Sequence, residues 1–316
     1  MTWPRAINPF EGESLWMQGV EPALRPASLA DAYEECRQIM RYHAHAFSFA
    51  ARFVPFPKRQ AIWAIYALLR HSDDLVDRAP ATATRADLLA AISHWEAQVR
   101  AETSASPLIC AFTDTRARFA VPLEPLWDLF EGMRMDLTRS RYATWAELER
   151  YCYCVAGTVG LLCTPVLGYD GDAETLHYAA MLGTAMQLTN ILRDVGEDVS
   201  LGRIYLPSEE LEAFGYSEEK ALAGVVDSQF RALMRFQIAR ARDLYRESMP
   251  AIARLDRTCH LPIQTAATLY RGILGRIEAN DYQVYTRRAH LTTRDKVLHL
   301  PHIWWQTHRL TPISLA

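Results

Sequence analysis

The chain has 316 residues, of which 50% are hydrophobic and 22% charged, with a formal net charge of −3. This composition supplies a large apolar core and excludes a disordered protein, and the near-neutral charge argues against a nucleic-acid partner. The six cysteines include no CxxC pair, which favours reduced thiols in the core over a metal or disulfide framework.

Apolar residues recur at helical spacing along almost the whole chain, whereas strand-like alternation is nearly absent. The first helix is predicted over 29–53, before two prolines, and the second over 58–77. Thr84, followed three residues later by Asp87, predicts the start of the third. Further helices are predicted at about 106–119, 123–138, 144–168, 172–198, 217–249, 262–288 and 293–311.

This pattern predicts an all-α protein with a single domain over 28–311, an N-terminal extension, 1–27, and a short tail, 312–316. No apolar run approaches the ~20 residues that span a bilayer, and the N-terminus lacks the apolar core of a signal peptide. We therefore expect a cytoplasmic protein, with peripheral membrane association as an alternative. The segment 296–310 combines two tryptophans with basic residues, so it is either an interfacial helix or, as we favour, a helix packed on the domain.

The first of two acidic segments ends the helix predicted over 58–77. Asp73 and Asp77 lie one turn apart on the same face, with Arg70 one turn before them. Their neighbours are mostly apolar, so this is not an ordinary solvated face. Two carboxylates at this spacing repel each other unless a cation lies between them. Asp74 lies off the stripe and is expected to face solvent or form a salt bridge.

The second acidic segment places four oxygen-bearing side chains at helical steps of three, four and four. They are Gln187, Asn190, Asp194 and Asp198. Such ligands suit magnesium, which takes one or two carboxylates and completes its shell with water and phosphate oxygens. The nearby arginines, Arg193 and Arg203, suit bidentate hydrogen bonds to phosphate. The two segments together predict a metal site that binds a diphosphate.

These segments resemble the signatures of the squalene and phytoene synthase family, whose members join two prenyl diphosphates head to head. The resemblance is carried by the stretches 43–55, 58–77, 151–168, 187–207 and 268–289. The last is most similar to phytoene synthases. The resemblance implies an isoprenoid-synthase-type helical bundle around a central active-site cavity. It also implies prenyl diphosphate substrates and Mg²⁺, with Mn²⁺ as an alternative, and NADPH is not expected.

The resemblance also implies a role for each matching residue. The implied metal ligands are Asp73, Asp77, Asn190, Asp194 and Asp198. The residues expected to face diphosphate are His43, Arg70, Arg193, Arg203, Tyr205 and Arg271. The prenyl channel is expected to include Phe47, Tyr66, Val155, Val159, Gly160, Gln187 and Tyr270. Catalysis is assigned to Asp73, Asp77, Asp194, Asp198, Tyr151 and Tyr205.

The helix predicted over 144–168 has features that suit a channel for a carbocation. On a regular α-helix, Tyr151, Val155 and Val159 form one edge at steps of four, which we expect to face the channel. Gly157 and Gly160 leave space beside it, either for substrate or for close packing of another helix. Aromatic faces in a dry channel stabilise a cation and keep water away from it.

Two features bear on the substrate. Many family members have HSKSF in the first stretch, whereas this chain has HAHAF, so Ala44 and Ala46 provide no hydroxyl to a diphosphate. The small residues Ala46, Ala50 and Ala51 leave depth for a twenty-carbon chain. This depth favours the condensation of two geranylgeranyl diphosphates, through prephytoene diphosphate, to phytoene.

Three alternatives remain open at this stage. Farnesyl diphosphate would instead give dehydrosqualene, squalene or presqualene diphosphate. A non-catalytic assembly subunit of the same fold is disfavoured because all the metal-ligand positions are retained. A class I terpene cyclase is disfavoured by the order of the motifs.

Overall fold

In the computed structural model, the described residues are 28–43, 48, 50–80, 82–102 and 106–310. Within these ranges the secondary structure is helical without a β-strand, and two isolated β-bridges join loops. The all-α prediction is therefore confirmed. The predicted N-terminal extension, the tail, and parts of the helix predicted over 29–53 lie outside the described residues.

The helices are numbered in chain order. They are α1 Leu29–His43, α2 Lys58–Asp77, α3 Arg85–Ala101, α4 Pro107–Phe119, α5 Glu124–Thr138, α6 Trp145–Cys152, α7 Thr158–Leu167, α8 Ala173–Ser200, α9 Ser208–Ala213, α10 Glu218–Leu222, α11 Ser228–Ser248, α12 Arg257–Ala279 and α13 Thr293–Arg309. A π-helical segment, Tyr153–Gly157, joins α6 to α7, and a 3-10 segment, Met249–Arg254, follows α11.

Several predicted boundaries are confirmed. Helix α2 begins at Lys58 and ends at Asp77, as its pattern indicates. Thr84 starts α3 through a capping box: its hydroxyl accepts from the Asp87 N–H, and the Asp87 carboxylate accepts from the Thr84 N–H at 2.9 Å. A cap of this kind contributes about 0.5–2 kcal/mol to helix stability.

The prediction of one long helix over 217–249 is wrong. Helix α10 ends at Leu222, and Gly224 then adopts a φ of +66°, which glycine reaches without steric cost. The Asp227 carboxylate accepts from the N–H of Phe230 at 2.9 Å and so caps the start of α11. The pattern therefore spans a short helix, a turn and a second helix.

The bounds predicted for 262–288 are also wrong. Helix α12 starts earlier because the Asp256 side chain accepts from the N–H of Thr258 at 2.8 Å and caps it. It ends at Ala279, after which Asp281 and Tyr282 adopt positive φ values of 52° and 60°. The segment beyond α12 therefore leaves the helix axis and turns back over the bundle.

Helix α8, with 28 residues, is the centre of the fold and packs against α6, α7, α11 and α12. One apolar cluster is formed by α1 to α5 together with α7, and a second by α8 to α12 with the loops between them. Each fully buried large apolar side chain in these clusters contributes about 1.5–3 kcal/mol. Because α8 lies at the junction, its polar side chains are held in a fixed frame.

The run Trp145–Leu167 is 23 residues long with a mean hydropathy of 1.2, so by length and composition it could cross a membrane. The expectation that no apolar run reaches this length is therefore wrong. In the structure, 61% of its apolar window is buried among the other helices. Its apolar character matches a helix buried in the core of the bundle.

Candidate active site

A deep cavity opens between α2, α7, α8 and α12. Including the part open to solvent, it encloses about 1500 Å³. One end is polar and is lined by Arg70, Asp73, Gln187 and Asn190. The remaining wall is mostly apolar and includes Met40, Ala51, Ile62, Leu182, Met186, Ile252, Leu255 and Ile263. The predicted central cavity is therefore confirmed.

Most residues predicted for the prenyl channel line this cavity. They are Tyr66, Val159, Gly160, Gln187 and Tyr270. Phe47, Ala44 and Ala46 lie outside the described residues. Both Ala50 and Ala51, whose small size suggested depth, line the cavity and are buried.

Val155 is not among the residues that line the cavity, so its assignment to the prenyl channel stays a prediction. Val155 packs against α5, where a Cβ added to Gly132 would come within 2.7 Å of Val155 Cγ1. The cause is the π-helical segment Tyr153–Gly157, which widens one turn and shifts the register between α6 and α7. As a result, Tyr151 and Val159 lie in different surroundings: Tyr151 contacts Asp136, and Val159 lines the cavity.

Glycines allow α7 and α8 to lie in close contact. A Cβ added to Gly160 would lie 2.3 Å from the carbonyl oxygen of Ala179, and one added to Gly183 would lie 2.2 Å from that of Ala156. Any side chain at these positions would force the backbones apart. Close helix packing is thus one role of Gly160, which also lines the cavity.

At the mouth, α2 presents Arg70 and Asp73 to the cavity. Asp74 accepts a hydrogen bond from Arg70 and lies 3.2 Å from Arg78 Nε, so it forms the salt bridge that its position off the stripe suggested. The side chain of Asp77 lies outside the described residues.

His43 ends α1 beside this mouth, with its Nε2 3.4 Å from Arg78 Nη2. Burial, and to a smaller extent the nearby guanidinium of Arg70, lower the pKa of the His43 imidazole to about 4. His43 is therefore neutral at pH 7, and it offers a phosphate a hydrogen-bond donor without adding a charge.

On α8, Asp194 is 2% exposed and lies between two guanidinium groups. Arg193 Nε donates to Asp194 Oδ1 at 2.8 Å. Arg288, in the segment after α12, donates from Nε and Nη2 to the two oxygens of Asp194 at 2.9 and 3.0 Å. Arg288 was missed in the sequence, although it lies within the fifth stretch that resembles phytoene synthases.

Arg271, predicted to face a diphosphate, does not line the cavity, and its role in binding diphosphate stays a prediction. Its neighbour Tyr270 lines the cavity, but one residue along a helix is a rotation of about 100°. Arg271 is accordingly exposed, in a separate groove on another side of α12. Arg288 supplies the C-terminal cation at this site instead.

A second cluster, missed in the sequence, is centred on Asp136 in the last turn of α5. Tyr151 and Tyr205 donate to its Oδ2 and Oδ1 at 3.0 and 2.8 Å, and Arg203 Nη2 donates to its backbone carbonyl at 3.3 Å. Burial raises the pKa of both tyrosines well above their usual value, with the Asp136 carboxylate adding to the effect. Their hydroxyls therefore remain protonated donors. The available signal was an acid between Met135 and Leu137 in an apolar stretch.

Two buried oxygen groups on α8 fit a divalent cation. Asn190 Oδ1 is buried with no hydrogen-bond partner among the described residues, while its Nδ2 donates to Gln187 Oε1 at 3.3 Å. Burial, and to a smaller extent the nearby carboxylate of Asp194, raise the pKa of the Asp198 carboxyl to about 7. An unpartnered oxygen and a carboxyl group that resists ionisation are both stabilised by a cation.

Among the side chains that the structure describes, no three His, Cys, Asp or Glu residues group closely enough to hold a metal by themselves. Magnesium needs only one or two carboxylates when substrate phosphates complete its shell. The donor set therefore fits a cation bound jointly with a diphosphate.

The helical bundle, the deep apolar cavity, and the acids and arginines on α2 and α8 define an isoprenoid-synthase-type enzyme. A family model described as squalene/phytoene synthase matches residues 40–295. The chain belongs to this family of prenyl transferases.

Individual relatives agree with the family. The chain is 43% identical to the 15-cis-phytoene synthase of Synechocystis sp., covering 96% of this chain and 94% of the relative. It is 44% identical to the phytoene synthase of Arthrospira platensis, covering 89% and 95%. A solved dehydrosqualene synthase superimposes with a TM-score of 0.82 at 30% identity, covering 89% of this chain and 98% of that one.

Proposed function

We propose that the protein joins two geranylgeranyl diphosphates head to head, through prephytoene diphosphate, to give phytoene. The observation that carries this proposal is the cavity between α2, α7, α8 and α12, with one polar end and a mostly apolar interior. Support for the twenty-carbon substrate comes from 43% identity to a phytoene synthase over 96% of the chain.

The proposed diphosphate site combines both acidic segments with nearby arginines. The residues that would hold magnesium, or manganese in its place, are Asp73, Asp77, Asn190, Asp194 and Asp198. The bound cation would neutralise negative charge on the departing diphosphate. The guanidiniums that would bind the diphosphate oxygens are those of Arg70, Arg193, Arg203 and Arg288. Fixed donors of this kind stabilise charge that develops as the carbon–oxygen bond breaks.

The loss of diphosphate leaves an allylic cation, which the double bond of the second substrate captures to close a cyclopropane ring. The apolar wall excludes water that would quench this cation. Tyr66 and Tyr270 line the same cavity, and their ring faces suit a passing positive charge. The Asp136 cluster is proposed to position Tyr205 and Arg203.

A second candidate is the condensation of farnesyl diphosphate to a thirty-carbon product. It is favoured by the likeness to the solved dehydrosqualene synthase, at a TM-score of 0.82. Lower identity to that protein, 30% against 43% for the phytoene synthase, ranks this candidate second.

We place the reaction in the cytoplasm, next to a membrane that receives the hydrocarbon product. The support is helix α13, which buries Ile303 completely in the domain while Leu298, Trp304 and Trp305 are 67%, 56% and 47% exposed. Tryptophan and leucine on one exposed helix are typical of a membrane interface.

The test is to incubate the protein and magnesium with geranylgeranyl or farnesyl diphosphate, with and without NADPH, and to identify the lipid product. We expect phytoene from geranylgeranyl diphosphate, independent of NADPH. A thirty-carbon product formed preferentially from farnesyl diphosphate would establish the second candidate. The absence of any head-to-head product would contradict both.

A further inference from the structure

The segment that follows α12 crosses α8 at Gly196, which lies between Asp194 and Asp198 in the sequence. A Cβ added to Gly196 would lie 2.6 Å from Tyr285 Cα, and it would lie 2.9 Å from the carbonyl oxygen of Val284. These are backbone atoms, so no side-chain rotation could relieve the clash. Glycine inside a helix is less favourable than alanine. The close approach of the two backbones therefore gives a physical reason for a glycine at this position.

The side chain of Tyr285 fixes the segment in place. Its ring packs against that of Phe230 with the centroids 5.3 Å apart, and a Cβ added to Gly224 would come within 3.3 Å of Tyr285 Cδ1. Its hydroxyl lies 3.2 Å from that of Tyr216, which donates to the carbonyl oxygen of Val225 at 2.8 Å. The ring is therefore held by the loop between α10 and α11 and by the first turn of α11.

Arg288 lies on the same anchored segment, three residues after Tyr285. The next residue, Ala289, is 1% exposed within the apolar cluster of α8 to α12, so the backbone is fixed on both sides of Arg288. The Arg288 side chain itself is 35% exposed, yet it donates to both oxygens of Asp194. A partly exposed arginine otherwise has many rotamers open to it. The direction of its guanidinium thus depends on where the backbone of the segment lies.

We propose that Gly196 and Tyr285 are positioning residues for the diphosphate site. Gly196 lets the segment lie directly on α8, and Tyr285 holds it there, so that Arg288 meets Asp194 and the bound diphosphate. The inference rests on the proposed function, which assigns Arg288 to the diphosphate. Neither Gly196 nor Tyr285 is among the residues that line the cavity. Both therefore act through the position of one guanidinium.

The displacement caused by Gly196→Ala is large enough to affect catalysis. Carbon atoms in ordinary contact are about 3.5–4.0 Å apart, so the segment would move by about 1 Å. A misplacement of about 1 Å can lower a rate about a hundredfold. We expect Gly196→Ala to lower kcat by about this factor. Gly275→Ala is the matched control on α12, because its added Cβ would meet no atom within 4 Å, and it should keep the wild-type kcat.

A second readout is the binding of inorganic diphosphate in the presence of magnesium, measured by isothermal titration calorimetry. We expect Gly196→Ala and Arg288→Gln each to weaken this binding about tenfold. If Gly196 acts through Arg288, the double variant binds no more weakly than Arg288→Gln alone. Losses that multiply in the double variant would overturn the proposal, as would wild-type affinity in a folded Gly196→Ala.

Tyr285→Leu decides the question if Gly196→Ala does not fold. It removes the ring and hydroxyl contacts but keeps an apolar side chain, and we expect several-fold weaker binding of diphosphate that disappears in the Arg288→Gln background. Tyr33→Leu is the matched control. Tyr33 is 3% exposed on α1 and donates to Asp114 at 2.6 Å, so its loss should lower the melting temperature at least as much and leave the affinity unchanged. Equal affinities of these two variants would overturn the proposal.

Inorganic diphosphate carries no prenyl chain, so its binding separates this inference from the proposed function. If the wild type forms no head-to-head product while the variants lose diphosphate affinity as described, the proposed function fails and the positioning role stands. If the wild type forms phytoene while Gly196→Ala and Tyr285→Leu keep the wild-type affinity, the positioning role fails and the proposed function stands.

Discussion

The side chains of Arg288 and Asp194 meet in the candidate site, although the residues are 94 positions apart in the chain. The Arg288 guanidinium spans both carboxylate oxygens at 2.9 and 3.0 Å, and Arg193 adds a hydrogen bond from the preceding residue. This arrangement brings two guanidiniums to the carboxylate that, in our proposal, binds the metal. A diphosphate arriving there would meet both of them.

Replacing Arg288 tests its role directly. We expect Arg288→Gln to lower kcat by roughly 10²–10³-fold, the usual cost of losing one charged donor to a leaving group. Arg287→Gln, a neighbouring exposed position, is the matched control and should be near wild type. Steady-state kinetics of diphosphate release measures both. Equal rates for the two variants would contradict a role for Arg288.

The cavity-facing acid of α2 should be essential for turnover but not for folding. We expect Asp73→Asn to lose at least a hundredfold in turnover and to weaken magnesium binding, because a carboxylate ligand becomes a neutral amide. The far-UV circular dichroism should be unchanged. Asp243→Asn, on the exposed surface of α11, is the control. Retained activity in Asp73→Asn would show that the metal site lies elsewhere.

Asp136 is expected to act by positioning Tyr205 and Tyr151. We expect Asp136→Asn and Tyr205→Phe each to lower kcat, and the double variant to be no worse than Asp136→Asn, because both changes break one network. Asp128→Asn is a matched control, since Asp128 accepts a similar hydrogen bond from Tyr153 at 2.9 Å and takes no part in the Asp136 network. Additive losses in kinetic assays would disprove the shared network.

Cavity depth should set the chain length of the substrate. Ala51 is 6% exposed and lines the cavity, so a phenylalanine there would project into it. We expect Ala51→Phe to lower kcat/KM for geranylgeranyl diphosphate at least tenfold relative to that for farnesyl diphosphate. Ala51→Ser, which adds a single oxygen, should keep the wild-type ratio. An unchanged ratio in Ala51→Phe would place the end of the chain elsewhere.

The titration of Asp198 predicts a pH-dependent affinity for metal. Burial raises its pKa to about 7, so a proton competes with the cation below that pH. We expect the affinity for magnesium to fall about tenfold from pH 8 to pH 6, measured by calorimetry. Asp198→Asn should remove the pH dependence while weakening binding. A constant affinity in the wild type would contradict the prediction.

In the metal-free protein, the raised pKa of Asp198 makes the stability of the fold depend on pH in the opposite direction from the metal affinity. Between the ordinary carboxyl pKa of 3.8 and about 7, the native state holds a proton that the unfolded state releases. The free energy of unfolding should therefore decrease as pH rises through this range. Melting temperatures of the metal-free protein measure it, and the trend should be weaker in Asp198→Asn.

Much of the fold follows from local patterns in the sequence. Helix α2 and the capping box at Thr84 occur where the sequence predicts, because side-chain spacing and capping chemistry act over a few residues. The break at Gly224 was missed because a glycine within an apolar helical pattern signals a turn only weakly.

The cavity-lining placement of Tyr66, Gln187 and Tyr270 followed from resemblance and spacing, whereas the placement of Val155 and Arg271 did not. The placement of Val155 depends on a π turn, which leaves no periodic signature in the sequence. The placement of Arg271 depends on which side of α12 meets α8. That side is decided by the tertiary packing of segments that are distant in the sequence.

The π-helical segment is a place where the chain can change its length without disturbing the site. A π turn holds about one residue more than an α turn, so deleting a single residue within Tyr153–Gly157 would restore a regular α-helix and leave the direction of the residues after it nearly unchanged. Val159 and Gly160 would then stay on the cavity wall while Tyr151 kept its place at Asp136. A deletion within the regular helix α8, by contrast, would rotate the residues beyond it by about 100°.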